Sequence, residues 1–391
     1  MLTFEKFTGI NNVQPAHRLG KDALTTATNV DIGLSGEVTR RAGYAQTLDT
    51  CHKNLHQADG FMLATVDGGD LTAMNSAGGA RVMIAASLGP SRMWYCNLPD
   101  GRTAYSNGLI NGITDGATAT SWGVPIPESV GSTMEISGEL APGDYQVETT
   151  YVRLSDGLEG ESAAYPPVTL ADGGLMLSGL PTLAGHSINV HLSSRNGEGA
   201  FLAGNTTGSL FSFIGKNSAL ILPKRTGNRY PAPAGKFPAL WRSRVLVAVG
   251  AVLYASHPSA WEAFDLQRDF KQFSAPITLV QPLEGGVFVG TEKELAFLMG
   301  SEFDKLVYSR VLDAGVVPGS GVEVPGESIQ RGQGLGQGRA MICIAGGELV
   351  AGFGDGGISR MTQGRYTTDV TEVVATFRVL DGIPQYMAIS Q

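Results

Sequence analysis

The sequence predicts an all-β fold, a β-propeller whose chain is interrupted once by a smaller β-sandwich. Three observations carry that expectation. Helical periodicity is scarce along the 391 residues, and the recurring unit is an apolar run, a short Gly, Asp or Asn turn, and a second apolar run. These units return at intervals of roughly 30 to 60 residues, which brackets the ~40 to 50 of a propeller blade. Between about residues 134 and 214 the rhythm changes to alternating strands at the roughly 8 to 12 residue steps of a sandwich.

Taken in order, the first unit is a hairpin in the stretch Ala27–Tyr44, with a tight turn at Leu34-Ser35-Gly36 and a returning strand that ends in Arg40 and Arg41. Further hairpins are expected at Phe61–Met74, Met93–Tyr105, Val245–Ser256 with its turn at Gly250, Gly286–Leu298, Met341–Gly352 and Ala375–Met387. Each supplies the inner or middle pair of a four-stranded blade. In the central region Gly143–Gly157, Glu161–Ala164, Leu175–Pro181, Ser187–Gly197 and Ala200–Ala203 read as sandwich strands. Pro125-Ile126-Pro127 and a connector over 216–238 holding four prolines bracket that region. The expected division is a first propeller part over 1–132, an insertion domain over 133–216, and a second propeller part over 217–391. The length outside the insert suffices for about six or seven blades.

Composition narrows the function classes. With 42% hydrophobic residues and 53 glycines the chain can bury a large core between many turns. A net charge of -8 lacks the basic footprint of a protein that grips phosphates, so a tight nucleic-acid binder is disfavoured. Cys51, Cys96 and Cys343 are widely spaced among small or apolar residues and read as core thiols of a protein assembled in a reducing compartment. The start of the sequence has no basic region followed by an apolar core, so no secretory signal is expected. Runs such as Val245–Tyr254 reach about half the ~20 residues of a membrane helix, so a soluble protein is expected.

Motifs that carry chemistry are weak here. His52 and His56 are four apart, yet no acidic base lies between them as a hydrolytic zinc helix requires. The glycine run Gly332–Gly338 lacks the strand, helix and downstream acid of a dinucleotide site and reads as a permissive loop. Asp67, Asp70, Asp100, Asp115, Asp156 and Asp355 stand beside or close to glycines, where carboxylates close turns. No catalytic, cofactor or metal site is expected, and the chain is not read as an enzyme. The suggestive polar residues are structural. Arg40 and Arg41, adjacent on a strand, point to opposite faces, so one can bond within the chain while the other meets a neighbouring subunit. Asn11 and Asn12 are candidates to bond the backbone of an adjacent blade and help close the ring.

Whole phrases of the sequence resemble one family. Phe7-Thr-Gly-Ile-Asn-Asn-Val13, followed by Ala27-Thr-Asn-Val-Asp-Ile-Gly-Leu-Ser-Gly-Glu-Val-Thr-Arg-Arg-Ala-Gly-Tyr44, resembles the opening of the tail nozzle or tail stabilisation (hub) proteins of short-tailed bacteriophages. Trp122-Gly-Val-Pro125, Pro233–Ala248, Leu253–Phe264, Pro276–Thr291, Ala314–Ser320 and Asp355–Thr362 continue the likeness in the same order. The passage from Gly143 to Gly197 resembles the fibronectin type III-like or immunoglobulin-like insert that many of these proteins carry. The resemblance implies a structural virion protein assembled in the host cytoplasm and located in the tail. Several copies, usually six, would form a ring beneath the portal and adaptor proteins, next to tail fibres or a spike, and genomic DNA would be retained by and ejected through the ring. In that setting the glycine-rich loop with Gln330, Gln333, Leu335, Gln337 and Arg339 is a candidate channel lining or gate. The alternative is a peripheral tail propeller that binds a host glycan or receptor, for which Trp94, Trp122, Trp241 and Trp261 would be the aromatic platform.

Overall fold

The computed structural model describes residues 6–33, 35–43, 45, 51–75, 81–162, 166–171, 173–380 and 382–390. Five antiparallel sheets follow one another along the chain as propeller blades, and their strands add in sequence order. Blade 1 holds Lys53–Gln57, Phe61–Val66, Asp70–Asn75 and Val82–Ala85. Blade 2 holds Trp94–Asn97, Thr103–Ser106, Asn111–Thr114 and Ala119–Thr120. Blade 3 is Lys236–Trp241, Arg244–Val249 and Val252–His257, with both Ala260–Phe264 and Phe270–Gln272 pairing along the third strand. Blade 4 is Ile277–Leu283, Gly286–Thr291, Leu295–Met299 and Val307–Leu312, and blade 5 is Val322–Pro325, Arg339–Ala345, Glu348–Phe353 and Ile358–Arg360. A two-stranded hairpin, Val373–Leu380 with Ile383–Ser390, ends the series.

All six hairpins read from the sequence in the blade region are present. The blade count is corrected: five full blades and a half-blade stand among the described residues where about six or seven blades were expected. The length was spent elsewhere, on an arm over 6–43 and on the connector after the insert, neither of which contributes a blade strand. Turn chemistry sets the registers. Gly346 and Gly347, at φ 57° and 78°, form the two-residue link between Ala345 and Glu348, the mirror-image turn whose twist suits a hairpin and whose positive φ favours glycine.

Blades stack face to face, each joined to the next by a shared apolar layer. Phe61, Leu63 and Leu71 of blade 1 meet Tyr105 of blade 2; Cys96 and Ile113 of blade 2 meet Val245 and Val247 of blade 3. Leu246 and Leu253 meet Val287 and Val289 of blade 4, whose Phe288 and Phe297 meet Met341 and Cys343 of blade 5. Middle strands such as Gly286–Thr291 are buried along their whole length. Burial on both faces removes the alternation expected of a half-wet sheet and leaves a continuous apolar run.

Between blades 2 and 3 the chain leaves to build the sandwich. Ser132–Ile136, Gly174–Ser178 and Leu210–Phe213 form one sheet, and Val147–Arg153, His186–Ser193 and Ala200–Thr206 the other, with the pair Gly143–Tyr145 and Val168–Leu170 alongside. Leu175, Leu177 and Phe213 of the first meet Val147, Tyr151, Ile188 and Val190 of the second in a single core. Glu161 and Ser162, read from the sequence as the start of a strand, belong instead to a loop, and Ala163 and Ala164 lie outside the described residues.

Candidate functional site

The opening strands of blades 2 to 5 converge, so residues far apart in sequence line common cavities. At one end a cavity of about 730 Å³ is walled by Tyr95, Asn97, Trp241, Arg242, Glu284, Glu323 and Arg339. Its charges alternate. Arg339 pairs with Glu323 at 3.1 Å, and Arg242 donates to the Glu284 carbonyl at 3.2 Å. Two cations matched by two anions give no net positive field that would hold a polyanion through its phosphates.

At the other end, a cavity of about 420 Å³ is lined by Arg92, Lys236, Glu292 and Glu372 among others. An aromatic pair and a cation form part of its wall. The Arg92 guanidinium lies 4.0 Å from the centroid of the Trp94 ring, and Trp94 packs on Phe237 at 4.3 Å. Arg92 also donates to the Val373 carbonyl at 2.7 Å and to Glu372 at 3.1 Å, tying the start of blade 2 to the terminal hairpin. Gly319 makes room for it, because a Cβ there would run into Arg92 and the Val373 carbonyl.

His56, on the first strand of blade 1, stacks on Tyr95 of blade 2 with centroids 4.7 Å apart, and its Nε2 lies 2.7 Å from Asn97 Oδ1. Burial pulls His56 below the usual imidazole range, against the opposing hydrogen bond to Asn97. His52 lies against Arg81 instead. Among the described residues no group of three or more His, Cys, Asp or Glu is placed to hold a metal ion.

No protein-family model and no curated protein matches the chain. Among solved structures the chain is similar to the Dos1 propeller at 8% identity and a TM-score of 0.35, over 90% of this chain and 76% of that one. It is also similar to the extracellular domain of the putative one-component system BT4673 from B. thetaiotaomicron, at 8% identity and a TM-score of 0.33, over 92% of this chain and 45% of that one. Apo AztD from Citrobacter koseri gives 9% identity and a TM-score of 0.32, over 81% and 73%. Likenesses this remote leave the architecture to be read from the sheets themselves.

The junction between propeller and sandwich is ionic. Glu262, on the fourth strand of blade 3, accepts from Arg102 of blade 2 at 2.6 Å and from Arg153 of the sandwich at 2.8 Å. Arg102 also meets Asp100 at 2.7 Å and Arg153 meets Asp156 at 2.6 Å. For both arginines burial disfavours the charge, and their carboxylate partners outweigh it and raise the pKa. Trp122 completes the junction, its Nε1 donating to the Trp261 carbonyl at 2.8 Å and its ring edge-on to Phe264.

Inside the sandwich, the face of the Val147–Arg153 sheet turned away from the core is polar and covered. Lys224 donates to Glu148 and Glu161, each at 2.8 Å, and Glu159 Oε1 lies 3.0 Å from His191 Nε2 and 2.9 Å from Asn189 Nδ2. No motif announced either network, since their members lie up to 160 positions apart.

The residues singled out by sequence fall into two groups. Asn12 clamps the arm to the segment after blade 5: Nδ2 donates to the Thr367 carbonyl at 2.8 Å, and Oδ1 accepts from the Thr367 amide at 2.9 Å. Asn11 instead closes a local turn through the amides of Val13 and Gln14. Arg41 pairs with Asp31 within the arm at 3.2 Å, and Arg40 lies exposed on the opposite face. Replacing Asn12 by alanine is expected to cost the anchor about 1 to 2 kcal/mol for two lost hydrogen bonds. Faster amide exchange at Thr367, with the blade cores unchanged, is the corresponding measurement.

The glycine-rich loop is a small hairpin, Gln330–Arg331 against Gly334–Leu335, built into the link between the first two strands of blade 5. Arg331 pins it to its own blade, meeting Asp355 at 2.7 Å and lying 4.6 Å from the Phe353 ring centroid. Gln330, Gln333, Leu335 and Gln337 are exposed, while Arg339 at its base reaches the larger cavity. Asp100, Asp115, Asp156 and Asp355 accept backbone amides two or three residues on in turns, Asp70 instead accepts the Ser87 amide beyond the next strand, a correction to its reading as a turn residue, and the Asp67 side chain lies outside those described. Cys96 and Cys343 are buried, and burial pushes each thiol up to about 12. Cys51 is exposed, a correction to its reading as a core thiol. The four tryptophans form no shared exposed platform: Trp122 and Trp241 are buried, Trp94 lies under Arg92, and Trp261 donates to the Ser243 carbonyl at 3.1 Å.

Proposed function

We propose that this chain is a structural subunit of the tail nozzle of a short-tailed bacteriophage, working as one wedge of a closed ring that retains and then releases the genome. The observation that carries the reading is the order of the family-like phrases from Phe7 to Thr362, with a sandwich leaving after blade 2 and returning to blade 3 where the resemblance places an insert. The geometry supports a particular version of it. The spaces along the opening strands of a single propeller are side-chain-lined cavities of about 730 and 420 Å³, with Arg92, Trp94 and Phe237 on the wall of the second, and in this version DNA travels through the lumen between subunits. A net charge of -8 and balanced cavity charges suit a surface that passes a polyanion without trapping it.

Electron-microscopy class averages of the purified protein and of virions carrying it test the reading. A closed ring, expected to be sixfold, at the tail tip is the supporting result. A monomer in solution, or labelled protein scattered along fibres, overturns it.

A further inference from the structure

Asparagine followed by glycine occurs three times in the sequence, at Asn107-Gly108, Asn111-Gly112 and Asn196-Gly197. The pair carries a reaction of its own. With no Cβ to shield it, the glycine backbone nitrogen can approach the asparagine Cγ and close a cyclic imide, so the fold decides which of the three pairs reacts.

The first two are held. Asn107 is 2% exposed, and both ends of its side chain are bonded: Nδ2 donates to the Leu88 carbonyl at 2.8 Å, and Oδ1 accepts the Leu109 and Ile110 amides at 2.9 and 2.8 Å. Asn111 opens the third strand of blade 2, where its Nδ2 donates to the Ala232 carbonyl at 2.9 Å and its glycine stands opposite Tyr105 in the ladder. Gly112 is buried so closely that a Cβ there would lie 2.3 Å from the Tyr105 hydroxyl oxygen. Backbone extended within a sheet cannot fold back on its side chain without breaking the ladder. At both pairs, ring closure waits on local unfolding of blade 2.

Asn196 is placed differently. It is exposed in the turn between His186–Ser193 and Ala200–Thr206, at a φ of 50° that asparagine adopts more readily than most residues. Its Nδ2, the group that must leave, donates to nothing among the described residues. Its Oδ1 accepts the Asp144 amide at 2.8 Å, which sets an N–H donor at the oxygen where negative charge develops as Cγ becomes tetrahedral. One bond opposes the reaction. The Gly197 amide donates to the Ser194 carbonyl at 3.1 Å, within a turn whose residues Ser194, Arg195 and Asn196 are all exposed and which opens far more easily than a blade core.

We propose that Asn196 is a site of spontaneous modification, converting to aspartate and isoaspartate while Asn107 and Asn111 persist. The Gly197 nitrogen gives up its proton to solvent and forms the bond to Asn196 Cγ; the Cγ–Nδ2 bond breaks, and Nδ2 takes up a proton and leaves as ammonia. Water then opens the imide. Opening at Cγ restores the ordinary backbone with an aspartate side chain, whereas opening at the main-chain carbonyl routes the backbone through Cβ and Cγ and leaves the old carbonyl as the side carboxylate. Either product adds a negative charge near Asp144. Only isoaspartate lengthens the turn, and that turn holds the strand Gly143–Tyr145, through the Asn196 amide to the Asp144 carbonyl at 2.9 Å and the return bond to Oδ1. The change loosens one edge of the sandwich and leaves the blades as they are.

Incubating the full-length chain at mildly alkaline pH, which favours loss of the glycine amide proton, and mapping its peptides by mass spectrometry tests the assignment. The peptide with Asn196 is expected to show the exchange of NH2 for OH at least about tenfold faster than those with Asn107 and Asn111, a margin that about 1.4 kcal/mol of local opening supplies. In urea the three rates are expected to converge, because the protection in blade 2 is conformational. Hydrogen exchange at the Asp144 amide is expected to quicken in the isoaspartate fraction and to stay native in Asn196→Asp, whose backbone keeps its length. An Asn196 that stays intact while the unfolded chain converts, or conversion at Asn107 or Asn111 as fast as at Asn196, overturns the assignment. Native exchange at Asp144 in the isoaspartate fraction overturns the loosening of the strand.

Discussion

Replacing Glu262 by alanine is expected to lower the unfolding free energy by about 3 to 5 kcal/mol, the range seen when one partner of a buried ion pair is removed. The size follows from what is left behind. Glu262 is 8% exposed and Arg153 6% exposed, so the loss strands a guanidinium in the junction with only Asp156 for company. Arg102 suffers less, being partly open to water and still held by Asp100. The Coulomb attraction alone does not measure the loss, because assembling the network already required desolvating these ions. A double replacement of Arg153 and Glu262 by methionine is therefore expected to recover most of the deficit. Urea unfolding of the three proteins checks both parts. The single variant should also become sensitive to proteolysis near the connectors at 125–131 and 216–235, since Glu262 ties the sandwich to blades 2 and 3. A single variant with an unshifted midpoint would show that the junction is held by Trp122 and its apolar neighbours and not by the ions.

That junction marks the boundary of what the sequence could reveal. Hairpins were legible because their determinants are local. Val287, Phe288 and Val289 announce a strand buried on both faces, and Gly346-Gly347 announces the turn between two apolar runs. The interruption by a sandwich was legible from a change of period. Glu161 was misread because its neighbours look strand-like, whereas its position is set by Lys224, 63 residues further on. Arg153 and Glu262 are 109 apart, and Arg92 finds its partner carbonyl 281 residues away. No pattern within a window of ten or twenty residues encodes such pairings, which exist only once the blades have stacked. The blade count failed for a related reason. A coreless arm and a half-blade have the composition of blade strands, and only the tertiary structure separates strands packed between two sheets from strands that are not. Of the four residues suspected of making contacts, Asn12 is the one whose partner lies across the fold; Arg41 stands one residue past the end of the strand that holds Arg40, and it is exposed and paired with Asp31 rather than held inside.

Acid is expected to weaken the sandwich through Glu159, and a glutamine at that position is expected to remove much of the effect. Burial works to raise the Glu159 pKa, yet the hydrogen bonds from His191, Thr150 and Asn189 prevail and hold it down at about 2, against 4.5 for a free carboxyl. A group whose folded pKa is depressed contributes its stability above the unfolded value and loses it as pH falls through the folded one. The window is therefore from about pH 4.5 down to about pH 2. The full shift corresponds to roughly 3 kcal/mol, and solvent screening of a partly open carboxylate reduces that to about 2 kcal/mol. Glu148, Asp115, Asp156 and Asp355 are lowered as well, so the native chain loses stability in acid for several reasons at once. The difference between the native chain and Glu159→Gln isolates the one residue. At pH 7 the variant should be the less stable by about 2 kcal/mol, and the gap should close as the pH approaches 2. A gap that stays constant over that range would mean that Glu159 acts as a neutral hydrogen-bond acceptor, and that its charge adds nothing to the polar layer.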